Sequence, residues 1–454
     1  TFFTGGGLHT FENFKREDNF KVPSVREGFR DSVNLVFVRL MRDIVHHYMY
    51  QVPGSSAALL KDSSNPRRAD YLARFADREG RVFVHRFYRK YQGKSADEAL
   101  ALLLNGHRHT PERLAVIFRS LEPEAGFDAF SAFLSKHLSA PLQESMAARL
   151  YERHAPGHYS LADRGFLARV HPLELWLAGY LRGYPEASLA QVMEASASER
   201  REVYAWLFST RHKNAQDERI RSLLEVEAFL EIHRQWKRLG YPFEYLVPSY
   251  ATAIGSSGDR PAALAELMGI IVNDGLRLPT ERIERLHFAA GTPYETVLRR
   301  GEENPERVMA PEVAAALRRA LTGVVEAGTA RRLAGSFAYE DGIRLTIGGK
   351  TGTGDNRFET YRADGQVVDS RAINRTATFV FFLGERHFGT LTAYVPGPEA
   401  DEYSFTSALP VQILKALAPQ LKPYLDPRGE RRCARSEQVK LVESGKLLGA
   451  ADIH

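Results

Sequence analysis

Cysteine is nearly absent: Cys433 is the only one in 454 residues. No disulfide can therefore form within the chain, and no C-x-x-C or H-E-x-x-H spacing occurs, which removes disulfide scaffolds and the common zinc signatures. His154 and His158 stand four apart, but Pro156 and Gly157 between them break the helix such a pair would need, and no metal is expected. No window approaches the roughly 18 apolar residues of a membrane span. The first residues, TFFTGGGLHTFENF, form neither a signal peptide nor a start methionine. The chain reads as beginning inside a domain, which is compatible with an upstream anchor or export signal. Charge of one sign is also lacking, because 61 Lys and Arg are interleaved with 56 Asp and Glu, a net of +5. That excess is too thin to argue for nucleic acid, and a basic surface near anionic lipid or wall polymer fits equally well. No fixed period repeats across the stretch from about Gly54 to about Arg221, so a solenoid is not indicated there.

What is present is an ordinary globular composition, 44% apolar and 26% charged, with length for two or three cores. In LVFVRLMRDIVHHY, Leu35, Val38, Met41, Val45 and Tyr48 share one helical stripe, with Asp31 and Ser32 as candidate caps. From about Gly54 to about Arg221 come short amphipathic helices punctuated by Gly and Pro, such as ADEALALLLNG, PERLAVIFRSL, PLELWLAGYLRGY and RREVYAWLF. They are expected to form an all-helical insertion over 50–225, about one domain in size. Helices continue in EVEAFLEIHRQWKRLGY, RPAALAELMGIIVNDG and APEVAAALRRALTGVVEAGTARRLAG. The pattern then changes to RLTIGG, TATFVFFLG and FGTLTAYVP, rich in Thr, Val, Phe and Tyr, the last two joined by the short ERH link of a hairpin. An antiparallel sheet follows, with SFTSALPVQILKALAPQLKPYL as a helix covering one face. The expected class is α+β, with parts at 1–49 and 226–426, the insertion between them, and a loose charged tail at 427–454.

The most conspicuous stretch is IGGKTGTGD at 347–355. A phosphate loop of the form G-x-x-x-x-G-K-[ST] fails on spacing, because Arg344 stands where the first glycine should be. Following a strand pattern, period two puts Thr351 and Thr353 on one face and Lys350 with Gly352 on the other. Gly352 would leave the strand bare, so that a peptide-like substrate could lie along it while hydroxyls and ammonium read a terminal carboxylate. A second signal is RDSVNLVFVRL, where Ser32, Val33 and Asn34 open a buried helix; on its own this reads as a simple N-cap.

Together, S-V-N and K-T-G resemble two of the three motifs of the penicillin-binding protein transpeptidases, serine acyltransferases that cross-link bacterial peptidoglycan. REGFRDSVNLVFVRL is similar to the family's segment around S-x-N, and LVPSYATAIGSSGDRPAALAELMGIIVNDG to a later stretch. APEVAAALRRALTGVVEAGTARRL, before GGKTGTGD, is similar to the class A, bifunctional branch. The resemblance covers about residues 10–48 and 226–422 in the family's order. It departs in the helical block near 50–225, where the family usually has a short connection, and in the nucleophile, since no serine in the chain has lysine three residues on. The family's S-x-x-K lies upstream of S-x-N, so the expectation is a parent protein carrying that serine, with a glycosyltransferase domain and an inner-membrane anchor before it.

The resemblance implies a penicillin-binding, serine β-lactamase-like fold in the periplasm, and a D,D-transpeptidase without cofactor. Its partners would be peptidoglycan stem peptides and β-lactams, with wall-synthesis proteins recruited through the insertion. The upstream serine would attack the bond between two D-alanines and hold the stem peptide as an acyl-enzyme. By analogy Ser32 relays a proton to the leaving amine and Asn34 binds the substrate amide. Lys350 supplies positive potential, Thr351 and Thr353 donate to the carboxylate, Gly352 leaves room for the peptide, and the Thr353 N–H joins the oxyanion hole. The alternative expectation is a catalytically inactive scaffold of the same fold that binds wall peptide or recruits partners.

Overall fold

Strand-forming residues dominate the last third of the described chain, and three long strands form there: β1 Ile347–Tyr361, β2 Val367–Leu383 and β3 His387–Pro396. They pair antiparallel in chain order, which leaves β1 and β3 as edges. The β2–β3 turn passes through Gly384 at φ 65°, a left-handed position that glycine takes without a side-chain clash. β1 starts later than RLTIGG suggested and runs beyond K-T-G and Gly354, to Tyr361. Glycines are weak strand formers, but each residue of this stretch is paired with β2, Lys350 opposite Val380 and Thr351 opposite Phe379, and that pairing overrides local preference. The structure, a computed structural model, describes residues 2–4, 7–9, 11–52, 58–208, 210–280, 283, 285–299, 304–361 and 367–426. The charged tail at 427–454, with Cys433, lies outside the described residues.

Four helices lie by this sheet or its rim, α1 Val25–Asp31, α3 Pro261–Val272, α4 Pro311–Glu326 and α5 Ala408–Leu425, and α2 Asn34–Tyr50 follows α1 in the chain. Side chains alternate across a strand, so β2 buries both of its faces. Phe379 and Leu383 pack with Val411, Leu414 and Ala418 of α5. Phe382 packs with Met268, Ile271 and Val272 of α3 and Leu321 of α4. The result is a mixed architecture of helices and antiparallel sheet, supplemented by short antiparallel pairs at 276–277 with 306–307 and 285–288 with 296–299.

The chain divides into two compact units, one made of Thr1–Tyr48 with Val226–His454 and the other of Met49–Glu225. The second unit is helical. Its helices start on the expected signals: Ser95 with Glu98 makes a capping box before Ala96–Leu104, and Thr110 caps Pro111–Leu121 with proline in its first turn. Val84, Leu114, Ile117, Phe130, Leu173 and Leu177 lie in its buried core. RREVYAWLF is not one helix: Ala197–Val203 is followed by a 3-10 turn at Ala205–Phe208. His154 closes the helix Glu144–Arg153. Among the described residues no group of three His, Cys, Asp or Glu could hold a metal ion, and no helix is long and apolar enough to cross a membrane.

Candidate active site

The segment before the buried helix forms a helix of its own, α1, which the glycine in VREGFRD disguises. Ser24 opens it: its hydroxyl accepts from the Glu27 N–H while the Glu27 carboxylate accepts from the Ser24 N–H. Asp31 is its last residue and Ser32 stands just past its end at φ 57°, ψ 46°. The Val33 N–H donates to the Gly28 carbonyl at 2.9 Å, closing the helix end around this left-handed residue. Glycine usually holds such a place, and a residue with a Cβ gives up about 1–2 kcal/mol to sit there. Asp31 and Ser32 are thus not N-caps of α2, as the sequence suggested. That role falls to Asn13, only 6% exposed, whose Oδ1 accepts from the Leu35 N–H at 2.9 Å. Two roles compete for the residue before a helix, and the short helix α1 claims it first.

Glycines set how closely the neighbouring segments approach. A Cβ on Gly28 would come within 2.9 Å of Val36 in α2, and one on Gly328, just beyond α4, within 2.3 Å of the Arg30 carbonyl oxygen. Thr329 then donates its N–H to the same Arg30 carbonyl, at 3.3 Å. The ends of α1 and α4 are thereby held together, and β1 meets them. The Lys350 Nζ donates to Ser32 Oγ, joining segments 318 residues apart in the chain, and to the Thr351 carbonyl at 2.9 Å. Thr351 Oγ1 lies 3.4 Å from Ser32 Oγ and 2.6 Å from Thr329 Oγ1. Strand alternation placed Lys350 and Thr351 on opposite faces, yet both reach Ser32. β1 is an edge strand, so a long side chain such as lysine can curl round its open rim.

Lys350 also lies over the Phe29 ring, 5.7 Å from its centroid. Burial pushes its pKa down to about 8. Among the described residues no carboxylate pairs with it; its partners are a hydroxyl and a carbonyl. A lysine so placed keeps its charge at neutral pH but yields a proton far more easily than a surface lysine, and Ser32 is the group in contact with it.

The glycines of GGKTG divide by task. A Cβ on Gly348 would meet the Phe382 ring at 2.2 Å and one on Gly349 the Phe379 ring at 2.5 Å, so both serve the sheet. A Cβ on Gly352 would meet nothing within 4 Å, so the strand beside it is open. Thr353 Oγ1 accepts from the Ser407 N–H at 3.0 Å, which leaves its own hydrogen to donate. Asn34 is the first residue of α2 and half-buried; among the described residues its side chain makes no hydrogen bond, so nothing ties it to Ser32 or Lys350. The structure therefore brings Ser32, Lys350 and Thr351 into contact, places Gly352 and Thr353 further along the same strand, and among the described residues gives the Asn34 side chain no hydrogen bond to them. Sequence reasoning missed Thr329 and Asn13, neither of which lies in a motif.

No protein-family model matches the chain, and no curated protein matches it. Among solved structures, penicillin-binding protein 3 from Mycobacterium tuberculosis, complexed with aztreonam, is 17% identical over 44% of this chain and 48% of that one, at a TM-score of 0.29. Penicillin-binding protein A from M. tuberculosis, as a ceftriaxone acyl-enzyme complex, is 18% identical over 43% of this chain and 45% of that one, TM-score 0.27. The D,D-transpeptidase domain of a peptidoglycan glycosyltransferase from Eggerthella lenta is 16% identical over 44% and 51%, TM-score 0.26. The chain spans about half the length of each of these structures. Likenesses this slight do not assign it to a family.

Proposed function

We propose that this chain is part of a peptidoglycan D,D-transpeptidase of the penicillin-binding type, probed by β-lactams and working by serine acyl transfer. One observation carries the reading: Lys350 of K-T-G donates to Ser32 of S-V-N, with the Thr351 hydroxyl beside them. Two short motifs 318 positions apart meet at one place, which supports a shared site. A lysine with no carboxylate partner among the described residues, held against a hydroxyl, suits two tasks. It keeps positive potential where a substrate carboxylate would bind, and it passes a proton through Ser32 to a departing amine.

In this reading the Thr351 and Thr353 hydroxyls donate to the carboxylate of a D-alanyl-D-alanine end lying along β1, and the open space at Gly352 admits its backbone. The nucleophile is a serine on a segment preceding Ser32, since none of the serines here has lysine three residues on. That serine attacks the carbonyl between the two D-alanines as its hydroxyl proton passes to the lysine three residues after it; the bond to the last D-alanine breaks, and its amine takes the proton passed through Ser32. An amine from a neighbouring stem peptide then takes the acyl group. The class A character, an upstream glycosyltransferase, an inner-membrane anchor and partner recruitment by residues 50–225 belong to the same proposal.

The test is labelling of the full-length parent protein with a fluorescent penicillin, followed by mapping of the modified residue. Modification of a serine upstream of Ser32, slowed in Lys350→Ala, is the expected result. A folded parent protein that takes up no penicillin would sink the transpeptidase reading in favour of a wall-binding scaffold.

A further inference from the structure

We propose that Thr329 ends a chain of hydroxyls through which Lys350 and Ser32 exchange protons with bulk water. The path has three members after the lysine. Lys350 Nζ donates to Ser32 Oγ, Ser32 Oγ stands 3.4 Å from Thr351 Oγ1, and Thr351 Oγ1 stands 2.6 Å from Thr329 Oγ1. Exposure changes along it: the Thr351 residue is only 7% exposed, whereas Thr329 is exposed to solvent. Each hydroxyl has one hydrogen to give and lone pairs to accept another, which is what a relay needs.

The other contacts of the lysine offer no such route. The Thr351 carbonyl is an acceptor with no hydrogen to pass on, and the Phe29 ring carries no exchangeable proton. In the relay the N–H bond of Lys350 breaks as Ser32 Oγ gains that proton. Ser32 gives its own to Thr351, Thr351 gives its own to Thr329, and Thr329 releases one to water, so every hydroxyl ends neutral. The net change is an ammonium and a water converted to an amine and a hydronium ion. The reverse sequence recharges the lysine. Ser32 and Lys350 are themselves half-buried, and a peptide lying along β1 would cover both further. The exposed Thr329 would then be the remaining contact of the pair with water.

Thr329 is a positioning residue in this scheme, since it acts through Thr351. Its backbone place is secured independently, by its N–H to the Arg30 carbonyl and by the close approach at Gly328, so a change of its side chain leaves the loop in register. The proposal rests on the pairing of Ser32 with Lys350 and not on any acyl-transfer activity.

The test uses the full chain labelled with nitrogen-15 lysine, the Lys350 signal being assigned through Lys350→Arg, and measures exchange of the Nζ hydrogens with water by NMR. Thr329→Val should slow that exchange by about tenfold, the scale of one hydrogen bond lost from the path, and Thr329→Ser should restore it. The Lys350 titration midpoint should stay in place in both. Unchanged exchange in Thr329→Val overturns the path. Equal slowing in Thr329→Val and Thr329→Ser, or a shifted titration midpoint with it, also overturns it and leaves Thr329 a packing role. Penicillin labelling enters none of these outcomes, so failure of the path and failure of the transpeptidase reading are read separately.

Discussion

The two units put their interior cations to different use. In the helical unit Arg113 is 2% exposed and its guanidinium is spent on architecture, donating to the Ala168 carbonyl at 2.8 Å and the Leu103 carbonyl at 3.0 Å, at the ends of neighbouring helices. Glu174 likewise accepts from Tyr91 at 2.8 Å and from Lys90 at 2.6 Å. In the sheet unit Lys350 is half-buried against a hydroxyl and a carbonyl, beside a serine in a left-handed conformation. Among the described residues neither cation has a counter-charge; Arg113 offsets that with three carbonyls at helix ends, whereas Lys350 has one carbonyl and a hydroxyl, and its neighbour Ser32 adds the cost of a positive φ. One unit spends its polar interior on holding itself together. The other accepts unfavourable terms at one place, which is where a ligand or a reaction can return them.

Four sets of substitutions would break or sharpen that contrast. The largest effect is expected in chemistry: Lys350→Ala should lower the second-order rate of penicillin acylation of the full-length protein by about 10²–10³-fold, measured by stopped-flow or gel-based labelling.

Next come stabilities of opposite sign. Arg113→Met should cost about 4 kcal/mol in denaturant unfolding, because helix-end carbonyls lose their buried donor. Lys350→Met should instead gain about 2 kcal/mol at pH 7. Its pKa is lowered from 10.5 to about 8 in the fold, so between those values the unfolded chain binds a proton that the folded chain does not. Stability of the wild type must then rise with pH across that window. The advantage of the methionine variant is full below about pH 8 and fades as the pH climbs towards 10.5. A gap that stays constant over that range would mean that Lys350 is not desolvated.

A third comparison lies within one strand. Gly348→Ala should lose about 2 kcal/mol, its new methyl meeting the Phe382 ring, while Gly352→Ala should leave the melting temperature unchanged and weaken only what binds along β1. The smallest effect concerns two of the left-handed residues, one taken from each unit. Arg169→Gly and Ser32→Gly should each gain about 1 kcal/mol by calorimetry, Ser32→Gly alone at the expense of acylation.

The sheet was legible because Thr, Val, Phe and Tyr gather in TATFVFFLG and FGTLTAYVP, where composition and structure agree. β1 was legible as far as Gly354, through RLTIGG and the alternation across KTGTG, but its continuation to Tyr361 was not, since the pairing with β2 imposes it. The helix α1 carried a readable signal, Ser24 followed three places on by Glu27, but Gly28 and its brevity hid it. The meeting of Ser32 with Lys350 was legible only through the family resemblance, because no local rule relates residues 318 apart. Thr329 was not legible at all. In EAGTARRL it is a small polar residue after a helix, and its importance comes from the backbone approach that Gly328 permits.

That approach has a consequence for how the site can vary. At Gly328 a hydrogen faces the Arg30 carbonyl where even a methyl carbon would stand 2.3 Å from the oxygen. Nothing smaller than hydrogen exists, so the position is a hard stop: every substitution there moves the arm bearing Ser32 outward, and none draws it in. The spacing of the two arms cannot drift around an average as most packed contacts do. Fine adjustment of the site is left to other positions, where side chains can be exchanged in steps of either sign.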